Sequence, residues 1–158
     1  MKILIIYYSR TGITKKIAEY LAQKLDADIE EIIDLKDRKG PINYVIAGKD
    51  ATQKKLTDIK ESYNNLKDYD TIIIGTPVWA WTITPAIRTY IQKNIAELKD
   101  KRVFAFCTMS ANGYEGTFEV IEETLGKPVV AKIALLTKEV TKQEYSDKLS
   151  DFLREIKA

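Results

Sequence analysis

The chain has 158 residues, 45% hydrophobic and 30% charged, with 25 Lys plus Arg against 23 Asp plus Glu and a net charge of +2. This is the profile of a single soluble globular domain, residues 1–158, long enough to bury a core, and its charge is too balanced to mark a nucleic-acid surface. One cysteine excludes an internal disulfide framework, and the lack of any histidine excludes imidazole acid–base chemistry and histidine-ligated metal.

The first element is the apolar and aromatic run Lys2 to Tyr8, of strand length. It is too short for a secretion signal and no cleavage-like small residues follow it. No stretch of the chain approaches the ~18 apolar residues of a membrane span, so no span is expected and the expected compartment is the cytoplasm. The turn Ser9-Arg10-Thr11-Gly12-Ile13-Thr14 follows, and then Ile17, Ala18, Leu21, Ala22 and Leu25 recur at helical spacing. A strand, a hydroxyl-and-glycine turn and a helix in this order place Ser9, Thr11 and Thr14 at a helix N-terminus. The first N–H groups there lack internal partners and attract anions. Gly12 would let a ligand approach the backbone. The same hydroxyls also serve as ordinary helix caps.

Asp28 to Asp34 reads as a second strand at a sheet edge. A long connection, Leu35 to Asp68, comes next. Lys36, Arg38 and Lys39, interrupted by Asp37, read as a solvated loop, and Gly40-Pro41 marks a turn. A short helix is expected around Asn43 to Lys55, with Ile42, Val45, Ile46 and Ala51 on its apolar face. Leu56 to Ile59 and Tyr63 to Asn65 look irregular.

Thr71 to Gly75 is β-branched and continuous, as a central parallel strand should be. It breaks into Thr76 to Thr82, and a helix starts near Thr84-Pro85 with Ile87, Tyr90 and Ile91 on its apolar face. Arg102 to Cys107 is the fourth strand, Thr108 to Gly116 its loop, and a helix from Thr117 stops at Gly126. Pro128 to Leu136 is the fifth strand, and Lys142 to Ile156 the closing helix. Alternating strands and helices predict an α/β fold, a doubly wound five-stranded parallel sheet with helices on both faces. In the order 2-1-3-4-5 the carboxyl ends of strands one, three and four lie side by side at the topological switch point.

Three unusual loops therefore converge. The second carries Trp79 and Trp81, on which a planar heteroaromatic ring would stack. Trp79 is the one assigned to a ligand more readily, although a tryptophan here also serves to plug the end of a core. The third offers Asn112, Gly113 and Gly116 to a polar ring edge, with Tyr114 as a further ring. Its glycines also suit plain turn geometry.

On these residues the chain resembles the flavodoxin family along its whole length, in the short-chain form. The family's phosphate loop, Thr/Ser-x-Thr-Gly-x-Thr, is matched by Ser9 to Thr14, and Gly75-Thr76-Pro77-Val78-Trp79 resembles its second flavin loop. The resemblance implies FMN as cofactor. Ser9, Thr11, Gly12, Ile13 and Thr14 would hold the phosphate, with Arg10 beside it or, more readily, in solvent; Thr76, Pro77, Val78, Trp79 and Ala80 would border the ring on one side. Thr108, Met109, Ser110, Asn112, Gly113 and Gly116 would border it on the other. Electron-carrying members are strongly acidic and this chain is not, and its third loop lacks their acidic pattern.

Other chemistries fit less well. A phospho-acceptor receiver needs acids where Ser9 and Gly75-Thr76 stand. A low-molecular-weight phosphatase needs a loop-heading cysteine, whereas Cys107 ends a strand and reads as a core thiol. Gly-x-Gly-x-x-Gly is absent after the first strand. The expected function is FMN-dependent electron transfer to a redox partner protein or a small-molecule acceptor, with the flavin supplying the redox chemistry. The alternative is an NAD(P)H- or donor-linked reductase of quinones or other small acceptors, walled by the Trp79–Trp81 loop and the segment Ile42 to Ala51. A flavin-free binding domain is a third reading.

Overall fold

A computed structural model describes residues 1–158. The chain runs β1 (Ile3–Tyr7), α1 (Ile13–Leu25), β2 (Asp28–Glu31), α2 (Pro41–Thr52), a 3-10 turn (Leu66–Asp68), β3 (Thr71–Pro77), α3 (Pro85–Lys93) and α4 (Ile95–Leu98). It continues through β4 (Arg102–Met109), α5 (Tyr114–Leu125), β5 (Lys132–Leu136), α6 (Thr137–Thr141) and α7 (Ser146–Lys157). The five strands form one sheet in the order β2-β1-β3-β4-β5, every pair parallel, as expected. No helix is long and apolar enough to cross a membrane.

Period-two alternation divides the buried residues between the two faces of the sheet. Ile3, Ile5, Tyr7, Ile73, Phe104 and Phe106 face α1 and α7, packing on Ile17, Leu21, Leu149 and Phe152. Leu4, Ile6, Ile72, Ile74, Val103 and Cys107 face the other way, onto Ala51, Ile87, Tyr90, Ile91, Phe118 and Ile121. Both faces of the central strands are covered, so their sequences read as apolar runs.

Several boundaries differ from the sequence reading for local reasons. β2 stops at Glu31 because the chain leaves the sheet to form an antiparallel bridge between Asp34 and Ile59. α5 begins at Tyr114, three residues before the expected Thr117, because Gly113 at φ 98° turns the chain into the helix. The closing helix begins at Ser146 rather than Lys142: Gln143 at φ 61° breaks it, and a separate short α6 precedes the break. The irregular stretch Ser62 to Asn64 is held by buried Glu30, whose carboxylate accepts from Ser62 Oγ at 2.5 Å and Asn64 Nδ2 at 2.7 Å.

Gly75 is required by packing. A Cβ there would lie 2.2 Å from Cζ of Phe106, which is fully buried. Gly75→Ala is therefore expected to lower stability by about 1–3 kcal/mol through overpacking, measured by urea unfolding. Phe106→Leu added to it should recover part of the loss, a coupling that independent sites would not show.

Candidate functional site

The three loops meet at the carboxyl edge. Tyr8 N–H donates to Gly75 O at 3.1 Å, continuing the β1–β3 ladder past the end of β1, and Val78 N–H donates to Thr108 O at 2.9 Å, doing the same for β3 and β4. The hydroxyls of Thr14 and Thr108, both buried, are 2.8 Å apart and join the first loop to the third.

In the first loop only one of the three expected hydroxyls is free. Ser9 Oγ accepts from the N–H of Gly12 at 3.1 Å and of Lys15 at 3.2 Å, so it holds the turn in shape. Thr14 is used on Thr108, and Thr11 is left exposed. Gly12 adopts φ 90°, a left-handed conformation that favours glycine. The N–H groups of Thr11, Ile13 and Thr14 have no acceptor within the chain. They sit at the head of a 13-residue helix whose dipole is positive at that end.

Arg10 takes neither of the places its sequence suggests, a phosphate contact or free solvent. Its Nε donates to Arg38 O at 2.8 Å and its Nη2 to Gly40 O at 3.4 Å, and its guanidinium lies 4.9 Å over the ring of Tyr44. The first loop is thereby fastened to the entrance of α2.

That entrance is solvated at Lys36, Asp37 and Lys39, as expected, but not at Arg38. Arg38 is buried, donating from Nε to Asp34 Oδ2 at 3.0 Å and from Nη1 to Asp50 Oδ2 at 2.5 Å. Lys36 Nζ reaches the same Asp50 oxygen at 2.6 Å, and Thr57 Oγ1 donates to Asp34 Oδ1 at 2.7 Å. Burial opposes ionisation of Asp50, but the hydrogen bonds from Lys36 and Arg38 outweigh it and hold the carboxyl at about 2. Burial likewise works against the charge on Arg38, and its bonds to Asp50 and Asp34 raise its pKa on balance.

This cluster inverts α2. The face turned inward carries Ala47, Asp50 and Ala51, while Ile42, Tyr44 and Val45 stand 76%, 62% and 69% exposed. The expected apolar face of Ile42 and Val45 thus points outward, and of the four residues expected on it only Ala51 is buried.

In the second loop Trp79 and Thr82 form an antiparallel bridge, exchanging N–H···O bonds of 3.0 and 3.1 Å. Between them Ala80 and Trp81 have φ 49° and 62°. Two consecutive positive φ values make this a type I′ turn built without glycine, a conformation costing about 1–3 kcal/mol per residue. Trp79 is buried with its ring edge-on to Tyr8 at 5.4 Å, whereas Trp81 is 66% exposed. Of the two, Trp81 is the free aromatic surface. Thr76 is buried, Pro77 and Val78 are half-buried, and Ala80 is exposed.

The third loop packs on that turn. A Cβ on Gly113 would come within 2.9 Å of both Trp81 Cδ1 and Val78 Cγ1, and one on Gly116 within 2.7 Å of Trp81 O. These glycines serve contact between the two loops. Ser110 and Asn112 are exposed, Met109 is buried, and Tyr114 lies near Phe118 of its own helix. Cys107 is fully buried, and burial pushes its thiol up to about 12, as an inert core thiol requires.

A cavity of about 320 Å³ lies between these parts, with Tyr44, Val45 and Gly48 of α2 on one side, Val78 to Trp81 on another, and Ser110 and Asn112 at its edge. A second depression of about 520 Å³ flanks the first loop, where Ser9, Arg10, Gly12 and Lys15 face the stretch from Glu31 to Lys39. The α2 wall was legible as a segment but not in its orientation. Of the buried ion cluster, the only sequence signal is the i, i+4 spacing of Asp34 and Arg38.

The flavodoxin family model matches residues 2–152. Among solved structures, a flavoprotein in complex with FMN from Lactobacillus acidophilus is 27% identical at TM-score 0.68, with 90% of this chain and 98% of that one aligned. The apo-form of the flavoprotein from the same organism is 26% identical at TM-score 0.66, covering 84% of this chain and 91% of that one. Oxidised flavodoxin 1 from Bacillus cereus, 19% identical over 98% of this chain and 96% of its own, shares the fold at TM-score 0.58. A search of curated proteins returns no match.

Two outcomes follow from the geometry. Asp50 has a folded pKa of about 2 against an ordinary 3.8, so the unfolded chain takes up the proton first and the stability Asp50 contributes is lost as pH falls from about 4 to about 2. Asp50→Asn should cost about 3–5 kcal/mol at neutral pH, as breaking a buried pair does, and the gap from the parent should narrow in urea titrations at pH 3 and below. Gly116→Ala should cost about 1–3 kcal/mol through overpacking and alter the near-ultraviolet dichroism of Trp81.

Proposed function

Because the chain belongs to the flavodoxin family, we propose that it binds FMN at the switch point and serves as an electron-transfer flavoprotein in the cytoplasm. The observation that carries this is the first loop. It is a turn held by Ser9 Oγ that leaves the N–H groups of Thr11, Ile13 and Thr14 and the Thr11 hydroxyl without partners at the positive end of α1. Nothing lies within 4 Å of where a Cβ of Gly12 would stand, so a phosphate meets no side chain there. The donor set suits a dianionic phosphate without any cationic side chain. FMN, when bound, supplies the redox chemistry.

The protein's own residues position and enclose. The N–H groups of Thr11, Ile13 and Thr14 and the Thr11 hydroxyl offer donors to the phosphate, and Gly12 leaves it room. Ser9 keeps the turn, and Arg10 ties the loop to α2 through the carbonyls of Arg38 and Gly40. Pro77, Val78, Trp79 and Ala80 would flank one side of the ring and Thr108, Ser110, Asn112 and Gly113 the other. Thr76, Met109 and Gly116 support these loops from behind. Burial keeps the phenol of Tyr8 protonated, its pKa pushed up to about 12, and likewise raises the pKa of the Cys107 thiol.

The acceptor is a partner protein or a small molecule. The second reading, a reductase of small acceptors, draws its support from the cavity wall that α2 contributes.

The purified protein should show flavin absorption and release FMN on denaturation. Thr11→Glu, which sets a carboxylate against the phosphate, should weaken FMN binding at least ~100-fold, on the order of the like-charge cost at a desolvated anion site, measured by calorimetry on the apoprotein. Unchanged affinity would show that the phosphate lies elsewhere. Anaerobic titration resolving two one-electron steps, with no direct oxidation of NAD(P)H, would favour the carrier; rapid NAD(P)H oxidation would favour the enzyme.

A further inference from the structure

We infer that Arg88, a buried guanidinium behind the Trp79–Thr82 turn, is the counter-charge for FMN in its reduced state, so that this protein holds reduced FMN at least as tightly as oxidised FMN. This rests on the FMN reading and adds to it the residue that balances the cofactor's two oxidation states.

Two arginines of the chain are buried, Arg38 and Arg88, and their surroundings are opposite. Arg38 lies between two carboxylates. Arg88 is 4% exposed and has none: its Nη2 donates to Thr82 Oγ1 at 3.3 Å, and its Nε has no acceptor. The acid whose field reaches it is Glu123 of α5, which is exposed and forms no ion pair with it. Burial lowers the pKa of Arg88, yet a guanidinium stays protonated at neutral pH. A buried cation without a carboxylate is costly, because nothing offsets its desolvation. The helix adds to that cost. Arg88 stands in the first turn of α3 and its side chain reaches back to Thr82, ahead of the Thr84 cap, where the helix dipole is itself positive. The arrangement calls for an anion.

Its position says which one. Thr82, which holds the guanidinium, exchanges backbone hydrogen bonds with Trp79, a residue proposed to border the flavin ring. No Asp or Glu occurs from Thr76 to Thr84 or from Thr108 to Tyr114. Glu115, the first acid after the third loop, is exposed and accepts from the hydroxyl of its neighbour Tyr114. The positive charge behind the second loop is therefore unanswered within the chain. Oxidised FMN has a neutral ring. Two electrons and one proton from the protein's electron donor leave that ring with one negative charge, while Arg88 keeps its own charge and proton. A charge fixed in advance beside a site where negative charge develops favours the charged state without reorganisation. At an effective dielectric constant of about 20, a unit charge within about 10 Å is worth roughly tenfold in such an equilibrium.

The test compares the two affinities. Calorimetry on the apoprotein gives the affinity for oxidised FMN. Anaerobic potentiometric titration with dithionite gives the midpoint potential of bound FMN, and its distance from that of free FMN gives the ratio of affinities, tenfold being about 30 mV for a two-electron couple. In the parent the bound potential should lie at or above the free one. Arg88→Met keeps the buried stem and removes the charge; it should shift the ratio about tenfold against reduced FMN, with the affinity for oxidised FMN held within about threefold. Arg88→Lys keeps the charge and should hold the parent's ratio within about threefold. A parent that binds reduced FMN more weakly than oxidised FMN overturns the inference, whether or not the Met variant folds. So does a Met variant with the parent's ratio, or a Lys variant that falls as far as Met, which marks a structural role alone. A protein that takes up no FMN overturns the reading beneath it as well.

Discussion

All five strands run the same way, and the site depends on that shared polarity. In a parallel sheet every carboxyl end lies on one edge and every connection back to the next strand must start there. The register places Tyr7 beside Gly75 and Pro77 beside Thr108, so the ends of β1, β3 and β4 stand level where the winding reverses. Single hydrogen bonds then carry the ladder into the loops, from Tyr8 to Gly75 and from Val78 to Thr108. The convergence of three loops is a property of the sheet before it is a property of any loop.

A second layer of order comes from charge. Arg38 sits between Asp34 and Asp50 with little exposure to water. A buried ion cluster is seldom more stabilising than an apolar replacement, but its geometry is directional. Asp50 has to face Arg38, so α2 is rotated about its axis and Tyr44 and Val45 are directed toward the cavity. The carbonyl of Arg38 also receives Arg10, so the first loop and the cavity wall share one anchor.

The Trp79–Thr82 turn shows strain and packing offsetting each other. Left-handed conformations at Ala80 and Trp81 are unfavourable in isolation. They persist because Trp79 is wedged against Tyr8 from below and the backbone of α5 closes on Trp81 at Gly113 and Gly116.

Much of this was legible in the sequence. β-branched runs bounded by turn residues specify parallel strands, and glycine and hydroxyl residues after Tyr8 specify a turn into a helix. Those signals are local, set by steric preference and by side-chain periodicity, and they carried the strands and loops, while the sheet order and the switch point came from the winding rule of parallel sheets. The orientation of α2, the capture of Arg10 and Arg38, the use of Ser9 and Thr14 within the scaffold and the unequal exposure of Trp79 and Trp81 were decided by the tertiary structure. Each depends on a partner far along the chain: Asp50 for Arg38, Thr108 for Thr14, Gly116 for Trp81. Periodicity says that a helix has an apolar side. Only the groups packed around it decide whether that side turns toward the core or, as with Tyr44 and Val45 here, outward to the wall of a cavity.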